Sequence, residues 1–196
     1  MRLIIVTGAP ASGKSSIAEA VGKKIGIDVI SKDGFKIVLF EKYGFTNHAE
    51  KKKLSLKGEK IMYETIERYI MQNSDLIVDN NFKHFNVVRD ILERTNASVD
   101  IRCVYCVADY DILAKRYNDR ISSGNRHQAL YTLNKYPVID GVSEFHPLIT
   151  RDDVERIEQE IQESAFGQKV LEMNTDNIEL DFESLCNQVI DFIAKE

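Results

Sequence analysis

The sequence predicts an α/β fold: a five-stranded, mostly parallel sheet with helices on both faces and a helical lid, in one domain spanning residues 1–196. Three observations carry that expectation. Short apolar runs rich in branched residues recur along the chain, each too short for a helix, and longer stretches with apolar residues at helical spacing separate them. Strands and helices alternating at this pace form βαβ units, whose parallel sheet is covered on both sides. Each run also ends in polar residues, and an open parallel sheet collects such carboxyl ends on one rim, where ligands bind beside the reversal of strand order.

The first strand is Leu3 to Val6, bounded by Gly8, and Ile17, Ala18, Val21 and Ile25 mark the helix that follows. A second strand, Ile27 to Ile30, runs into Ser31-Lys32-Asp33. Residues 35–45 read as a short aromatic helix ended near Gly44, and residues 47–57 as a lysine-rich, weakly apolar stretch. Ile61, Ile66, Tyr69 and Ile70 place a long helix from about Leu56 to Met71, broken at Asn73-Ser74. Leu76 to Val78 is the third strand, closed by Asp79-Asn80-Asn81. Asn86 is a candidate cap for a helix to about Arg94. Ile101 to Val107 is the fourth strand, and Asp109 or Asp111 starts a helix through Leu113 to about Ile121. Residues 122–150 hold two of the three prolines and read as substrate-covering, so the lid is set at about 116–150, with a second covering segment at about 35–60. Arg151 opens a polar helix to about Ser164, Val170 to Met173 is the fifth strand, and Asp181 caps a last helix with Phe182, Leu185, Val189 and Phe192 inward.

Between the first strand and its helix, Gly8-Ala9-Pro10-Ala11-Ser12-Gly13-Lys14-Ser15 matches the phosphate-binding loop at the required spacing. Gly8 and Gly13 permit backbone conformations and close approaches that a side chain would obstruct. The amides from Pro10's neighbourhood to Ser15 can wrap an anion, and the helix start adds its positive end. Lys14 would reach the β- and γ-phosphates and the Ser15 hydroxyl would hold Mg²⁺. Gly8, Ala9, Pro10, Ala11, Ser12, Gly13, Lys14, Ser15 and Ser16 are therefore the candidate nucleotide-binding residues. The plain alternative is a glycine-rich turn with a solvent lysine, but a strand before and a helix after favour the phosphate loop and narrow the fold to a P-loop NTPase.

Composition bounds the partners. A 196-residue chain with 43% hydrophobic and 29% charged residues can bury a core without staples. Its net charge of −5 is unevenly spread: residues 1–150 carry 22 basic and 18 acidic side chains, net +4, and residues 151–196 carry 4 and 13, net −9. Polyphosphate chemistry belongs to the first part, and the total argues against a nucleic-acid partner while leaving room for a local basic pocket. Cys103, Cys106 and Cys186 form no disulfide framework, and Cys103-x-x-Cys106 sits in an apolar strand, as buried thiols do. His84, His127 and His146 lack ligand spacing for zinc. Met1-Arg2-Leu3 leads straight into the first strand without a signal peptide, and no apolar run approaches membrane length, so the expectation is a cytoplasmic protein with no membrane partner.

No Asn-Lys-x-Asp follows a strand, no acidic dyad closes the third strand and no transporter signature is present. The chain resembles the small P-loop kinases, the group of polynucleotide kinase domains, zeta-toxin-like kinases and chloramphenicol, gluconate and shikimate kinases. Gly8-Ala-Pro-Ala-Ser-Gly-Lys-Ser15 resembles their phosphate loop, with Ala11 where the closest members often have glycine. Ser31-Lys32-Asp33 looks like the Ser-x-Asp after their second strand, and Val78-Asp79-Asn80-Asn81-Phe82 like the ending of their third. Arg116-x3-Arg120 and Arg126 resemble their lid arginines, and Asn174-Thr175-Asp176 the segment bordering the adenine.

The resemblance implies ATP with Mg²⁺, Asp33 as the acceptor's base, and Thr175 at the nucleotide. Bottom-up, Asp33 stands one strand from the loop, placed to orient a hydroxyl, or it caps the next helix. Asp79 can hold Mg²⁺ or Ser15, form a strand-end turn, or act as the base instead. Arg116 and Arg120 share one helical face, and residues 111–135 carry net +3, fitting arginines over phosphate oxygens or a salt-bridged surface. Phe35, Phe40, Tyr43 and Phe45 can line an acceptor pocket or belong to the core, and Lys36, Lys52, Lys53 and Lys57 can meet a phosphorylated acceptor or solvent. The expected activity is transfer of the γ-phosphoryl group of a nucleoside triphosphate to a hydroxyl of a small molecule or nucleotide. The alternatives are a nucleotide-binding regulator or toxin-like protein acting through a partner, and a nucleic-acid 5′-hydroxyl kinase.

Overall fold

The first strand is a continuous apolar run, and the structure buries its successive residues on alternate faces. The computed structural model describes residues 1–81, 84–162 and 169–195. Strands β1 (Arg2–Gly8), β2 (Asp28–Ser31), β3 (Leu76–Asp79), β4 (Asp100–Val107) and β5 (Lys169–Asn174) form one sheet in the order β2-β3-β1-β4-β5, every pairing parallel. Eight helices are found among the described residues: α1 (Lys14–Ile25), α2 (Lys32–Tyr43), α3 (His48–Met71), α4 (Asn86–Thr95), α5 (Tyr110–Ser122), α6 (Gln128–Tyr131), α7 (Arg151–Gln162) and α8 (Ile178–Ala194).

Leu3 and Ile5 of β1 join Met62, Ile66 and Ile70 of α3, Val88 and Ile91 of α4 and Ile161 of α7 on one face. Ile4 and Val6 join Ile17, Ala18 and Val21 of α1 and Leu185, Val189 and Ile193 of α8 on the other. Cys103 and Cys106 are three residues apart on β4, so they fall into opposite layers and cannot pair. Burial pushes both thiols up to about 12. The chain reverses strand order between β3 and β4, on either side of β1, and in that register Val6 lies opposite Asp79 and Gly8 opposite Cys106.

Several boundaries differ from the sequence expectation, each for a local reason. The aromatic helix starts earlier, at Lys32, because Ser31 is its cap: Ser31 Oγ accepts from the Gly34 amide at 3.0 Å. Asp33 therefore sits inside the first turn and does not cap it. The lysine-rich stretch is not loose: Asn47 caps α3 through the Glu50 amide at 2.9 Å, and the buried stripe Met62, Gly58 continues back to Lys51. Asp109, rather than Asp111, caps α5, accepting from the amides of Asp111 and Ile112. Asn86 is the first residue of α4, which has no side-chain cap bond, and Asp181 lies inside the first turn of α8. Phe82 and the expected helix end at Ser164 lie outside the described residues.

Residues 122–150 do not stand apart from the body. Phe45 and Tyr136 exchange backbone hydrogen bonds at 2.9 Å in each direction, and Phe40, Phe45 and Ala129 form a small core under α6. No described helix is long and apolar enough to cross a membrane.

Candidate active site

The phosphate loop bridges β1 and α1. Gly13 is left-handed (φ +82°), and a Cβ there would lie 2.1 Å from Ile178 Cδ1; one on Gly8 would lie 2.2 Å from the Cys106 carbonyl oxygen. Gly8 is thus required by space as well as by backbone, while at Gly13 the movable tip of Ile178 can yield and the left-handed backbone carries the requirement. Ala11 is also left-handed, at φ +67°, the position where a further glycine would sit without strain. The Ser12 amide donates to the Ala9 carbonyl at 3.2 Å and Lys14 Nζ to the same carbonyl at 3.3 Å, so the lysine spans the loop.

A cavity of about 170 Å³ opens beside the loop, lined by Pro10, Lys14, Ser15, Lys32, Asp33, Lys36, Asp79, Asn80, Asn81 and Arg126. It brings together the ends of β1, β2 and β3, as the shared rim requires. Asp33 Oδ1 accepts from Lys36 Nζ at 3.1 Å and Oδ2 from Arg126 Nη2 at 3.3 Å. Partial burial raises the Asp33 pKa, but Lys36, Arg126 and Lys14 together outweigh it and hold the carboxyl below its ordinary value. Asp79 differs: it accepts from Ser15 Oγ at 2.6 Å, and burial, opposed by Lys14 and Ser15 and aided by Asp33, leaves its pKa raised.

A metal site can be tested against these atoms. Asp79 Oδ1 and Asn80 Oδ1 are buried without a hydrogen-bond partner, next to the Ser15–Asp79 pair. Oxygen donors with one carboxylate suit a hard cation such as Mg²⁺, which keeps waters and takes phosphate oxygens. Among the described residues no three of His, Cys, Asp and Glu gather as a metal cage. Ser15 and Asp79, with Asn80 beside them, therefore fit magnesium.

A second groove of about 800 Å³ lies across the loop, lined by Ala11, Gly13, Ser16, Arg116, Arg120, Asn125, Ile178 and Phe182 among others. The three arginines divide between the two spaces. Arg116 and Arg120 line the groove, and burial with the neighbouring Arg126 and Arg116 lowers the Arg120 pKa. Arg116 is held by the turn after β5, donating to the carbonyls of Thr175 at 3.0 Å and Asp176 at 2.7 Å. Thr175 itself is fully buried, its hydroxyl and its amide both donating to the Val107 carbonyl, at 3.0 and 2.8 Å, so it anchors the turn and lines neither space. Arg126 lines the smaller cavity, with Tyr117 under its guanidinium at 5.4 Å and its Nε buried without a partner. Adjacent residues Asn125 and Arg126 thus face the two spaces.

Other candidates fall elsewhere. Phe40 and Phe45 pack edge to face at 5.2 Å in the core, while Tyr43 is 55% exposed. Lys52, Lys53 and Lys57 are exposed. His127 bonds Glu41 at 2.8 Å, and His84 sits by the α3–α4 groove. Three buried charges escaped sequence reading, Arg102, paired with Asp100 at the far end of β4 from the loop, and two nearer the site. Lys51 is 8% exposed, its ammonium donating to the carbonyls of Leu130 and Thr132. Glu158, on α7, is 3% exposed, takes the Tyr105 hydroxyl and has its pKa raised by burial. These last two each continue a helical stripe, Lys51 to Gly58 and Met62, and Val154 to Glu158 and Ile161, which is the signal that would have found them.

Comparison with known proteins agrees with this architecture. A family description called "AAA domain" (AAA_33) matches residues 3–132. Among solved structures, a candidate kinase from Chloroflexus aurantiacus j-10-fl superposes with a TM-score of 0.74 at 24% identity, covering 97% of each chain. A shikimate kinase from Bacteroides thetaiotaomicron gives 0.54 at 18% identity over 99% of each chain. A gluconokinase from Sinorhizobium meliloti 1021 gives 0.53 at 15%, over 99% of this chain and 98% of its own. A search of curated proteins gave no match. With the match running from β1 through the phosphate loop, Asp33, Asp79 and all three arginines, this chain shares the fold of these kinases and belongs to the AAA-domain family AAA_33.

Proposed function

We propose that this protein is an ATP- and Mg²⁺-dependent phosphotransferase that moves the γ-phosphoryl group to a hydroxyl of a small molecule or nucleotide. The observation that carries this reading is the cavity shared by Lys14 of the phosphate loop and the Asp33 carboxylate. A nucleotide-sensing protein that works through a partner needs no such space beside its phosphates.

The geometry supports a role for each group. The loop amides and Lys14 hold the β- and γ-phosphates, with the nucleoside in the groove between Arg116, Arg120 and Phe182. The acceptor hydroxyl enters beside Asp33. Its oxygen forms a bond to the γ-phosphorus as the bridging P–O bond to ADP breaks, and its proton passes to Asp33. Transfer of this kind has a loose transition state, so a carboxylate kept ionised serves chiefly to orient the alcohol and takes the proton late. Arg126 bears on the transferring group and, with residues 116–150 acting as a lid, excludes water. Ser15 and Asp79 would hold magnesium, which when bound offsets charge on the phosphate oxygens.

The test is Asp33→Asn assayed with labelled ATP against hydroxyl-bearing metabolites and 5′-hydroxyl oligonucleotides, with Lys14→Ala as blank. ATP binding survives in Asp33→Asn while transfer collapses. Equal transfer by Asp33→Asn, or wild-type failure with every acceptor class, overturns the reading.

A further inference from the structure

The charges beside Asp33 do not balance. Lys36 and Arg126 share its single carboxylate, one on each oxygen. Lys32, also on the cavity wall, is already paired with Glu59 at 2.8 Å. Behind Lys36 lies Lys51, buried, with its ammonium on two carbonyls and 5.7 Å from the Phe45 ring centre. No carboxylate among the described residues forms an ion pair with it. Burial first, then repulsion from Lys36 and Arg126, lowers its pKa to about 8, against the pull of Asp33. His146 faces the same group: burial, Lys51, His48 and Arg126 all lower its pKa.

Two cations, from α2 and residue 126, thus meet on the Asp33 carboxylate, with the buried Lys51 of α3 near enough to be repelled by both, in a chain of net charge −5. Gly58 allows the approach, since a Cβ there would lie 3.1 Å from the Lys36 backbone nitrogen and 3.2 Å from its Cγ. Arg126 Nε, buried without a partner, adds an unused donor in the same place. With Arg126 turned to the γ-phosphate, Lys36 and Lys51 remain as like charges held near each other at a partly enclosed site, which favours a further anion there.

We infer that the acceptor is itself an anion: an alcohol carrying a phosphate or carboxylate group, which lies over Lys36 on the α2–α3 side of the Asp33 cavity while its hydroxyl faces the phosphate loop. Lys36 makes the contact, and Lys51 acts through its field from behind. This rests on the phosphotransferase reading and extends it to the substrate's chemical class.

The experiment separates the two. Protein saturated with Mg²⁺ and AMPPNP, so that the phosphate loop is filled, is titrated with inorganic phosphate and with acetate against chloride of matched ionic strength, following thermal stability. At least one anion stabilises saturably beyond chloride, and which one does so distinguishes phosphate from carboxylate. Lys36→Met weakens that binding tenfold or more, and Lys36→Arg restores it. No saturable effect, or an effect unchanged in Lys36→Met, overturns the inference. In parallel, ATP turnover is measured with glycerol 3-phosphate and glycerate against glycerol, and gluconate against glucose. Charged members are preferred at least tenfold, and Lys36→Met removes the preference. Equal use of neutral alcohols sinks the anion proposal and leaves the kinase standing; anion binding without transfer to any alcohol does the reverse.

Discussion

Arg126 Nη2 reaches Asp33 Oδ2 at 3.3 Å across ninety-three residues of sequence. The pair joins the segment after α5 to the first turn of α2 and holds the carboxylate ionised. On the proposed reading, a γ-phosphate at Lys14 would offer Arg126 a second anion, so binding the phosphate and holding Asp33 would be competing uses of one guanidinium.

Arg126→Gln should therefore act twice. Removing a donor from a transferring phosphoryl group lowers kcat by roughly 10²-fold or more. Asp33 also loses one of the cations that depress its pKa. A carboxylate needed in ionised form fails as pH drops through its pKa, and a higher pKa makes it fail sooner. The acid limb of the kcat/KM profile should move to higher pH in Arg126→Gln, and an unmoved limb would remove Asp33 from the role.

Asp79→Asn should separate metal from fold. The Asp79 pKa is raised, chiefly by burial, so the folded state binds its proton more readily than the unfolded chain and the ionised form is destabilising at neutral pH. Without metal, the variant melts at or above the wild-type temperature. AMPPNP affinity falls about tenfold or more with Mg²⁺ present, the cost of one lost metal ligand, and stays level in EDTA. Isothermal titration in both buffers checks this.

Ala11→Gly should be nearly silent. Left-handed backbone costs a residue with a Cβ about 1–2 kcal/mol, which glycine relieves, against about 0.4–1 for a freer unfolded chain and about 0.8 for a lost buried methyl. Ala18→Gly, inside α1 and equally buried, has no relief to offset its losses and should cost about 2 kcal/mol. Urea denaturation of both variants gives the comparison.

Lys51 should leave a signature at alkaline pH. Its folded pKa, about 8, lies below the ordinary 10.5, so between those values the unfolded chain holds a proton that the folded one has shed. Stability relative to Lys51→Met should rise with pH across that window, by up to about 3 kcal/mol. A flat difference curve would mean that the ammonium is well solvated.

What could be read from the chain depended on how local each signal was. The phosphate loop is contiguous, so its residues and the strand–loop–helix around it were legible outright. Asp33 and Asp79 were legible as strand ends, because a parallel sheet aligns its carboxyl edges. Their different states were not, since these depend on Arg126 and Lys36 for one and Ser15 for the other, partners set by tertiary packing. Arg116 and Arg120 share a helical face and do share a groove. Arg126 lies past the helix end, beyond the turn at Gly124, where periodicity says nothing about direction. Lys51 and Glu158 fall on the buried stripes of α3 and α7, but a charged residue there reads as solvent-facing until the partners that bury it are known.

The backbone exchange between Phe45 and Tyr136 fastens the end of α2 to the stretch beyond α6, away from the loop that would grip the nucleotide. If the proposed function holds, changes in length or composition near residues 128–146 would act on the acceptor side through α2, and leave the phosphate loop's own contacts as they are. A kinase so divided could be retooled for a new acceptor by altering one flank, with its fuel unchanged.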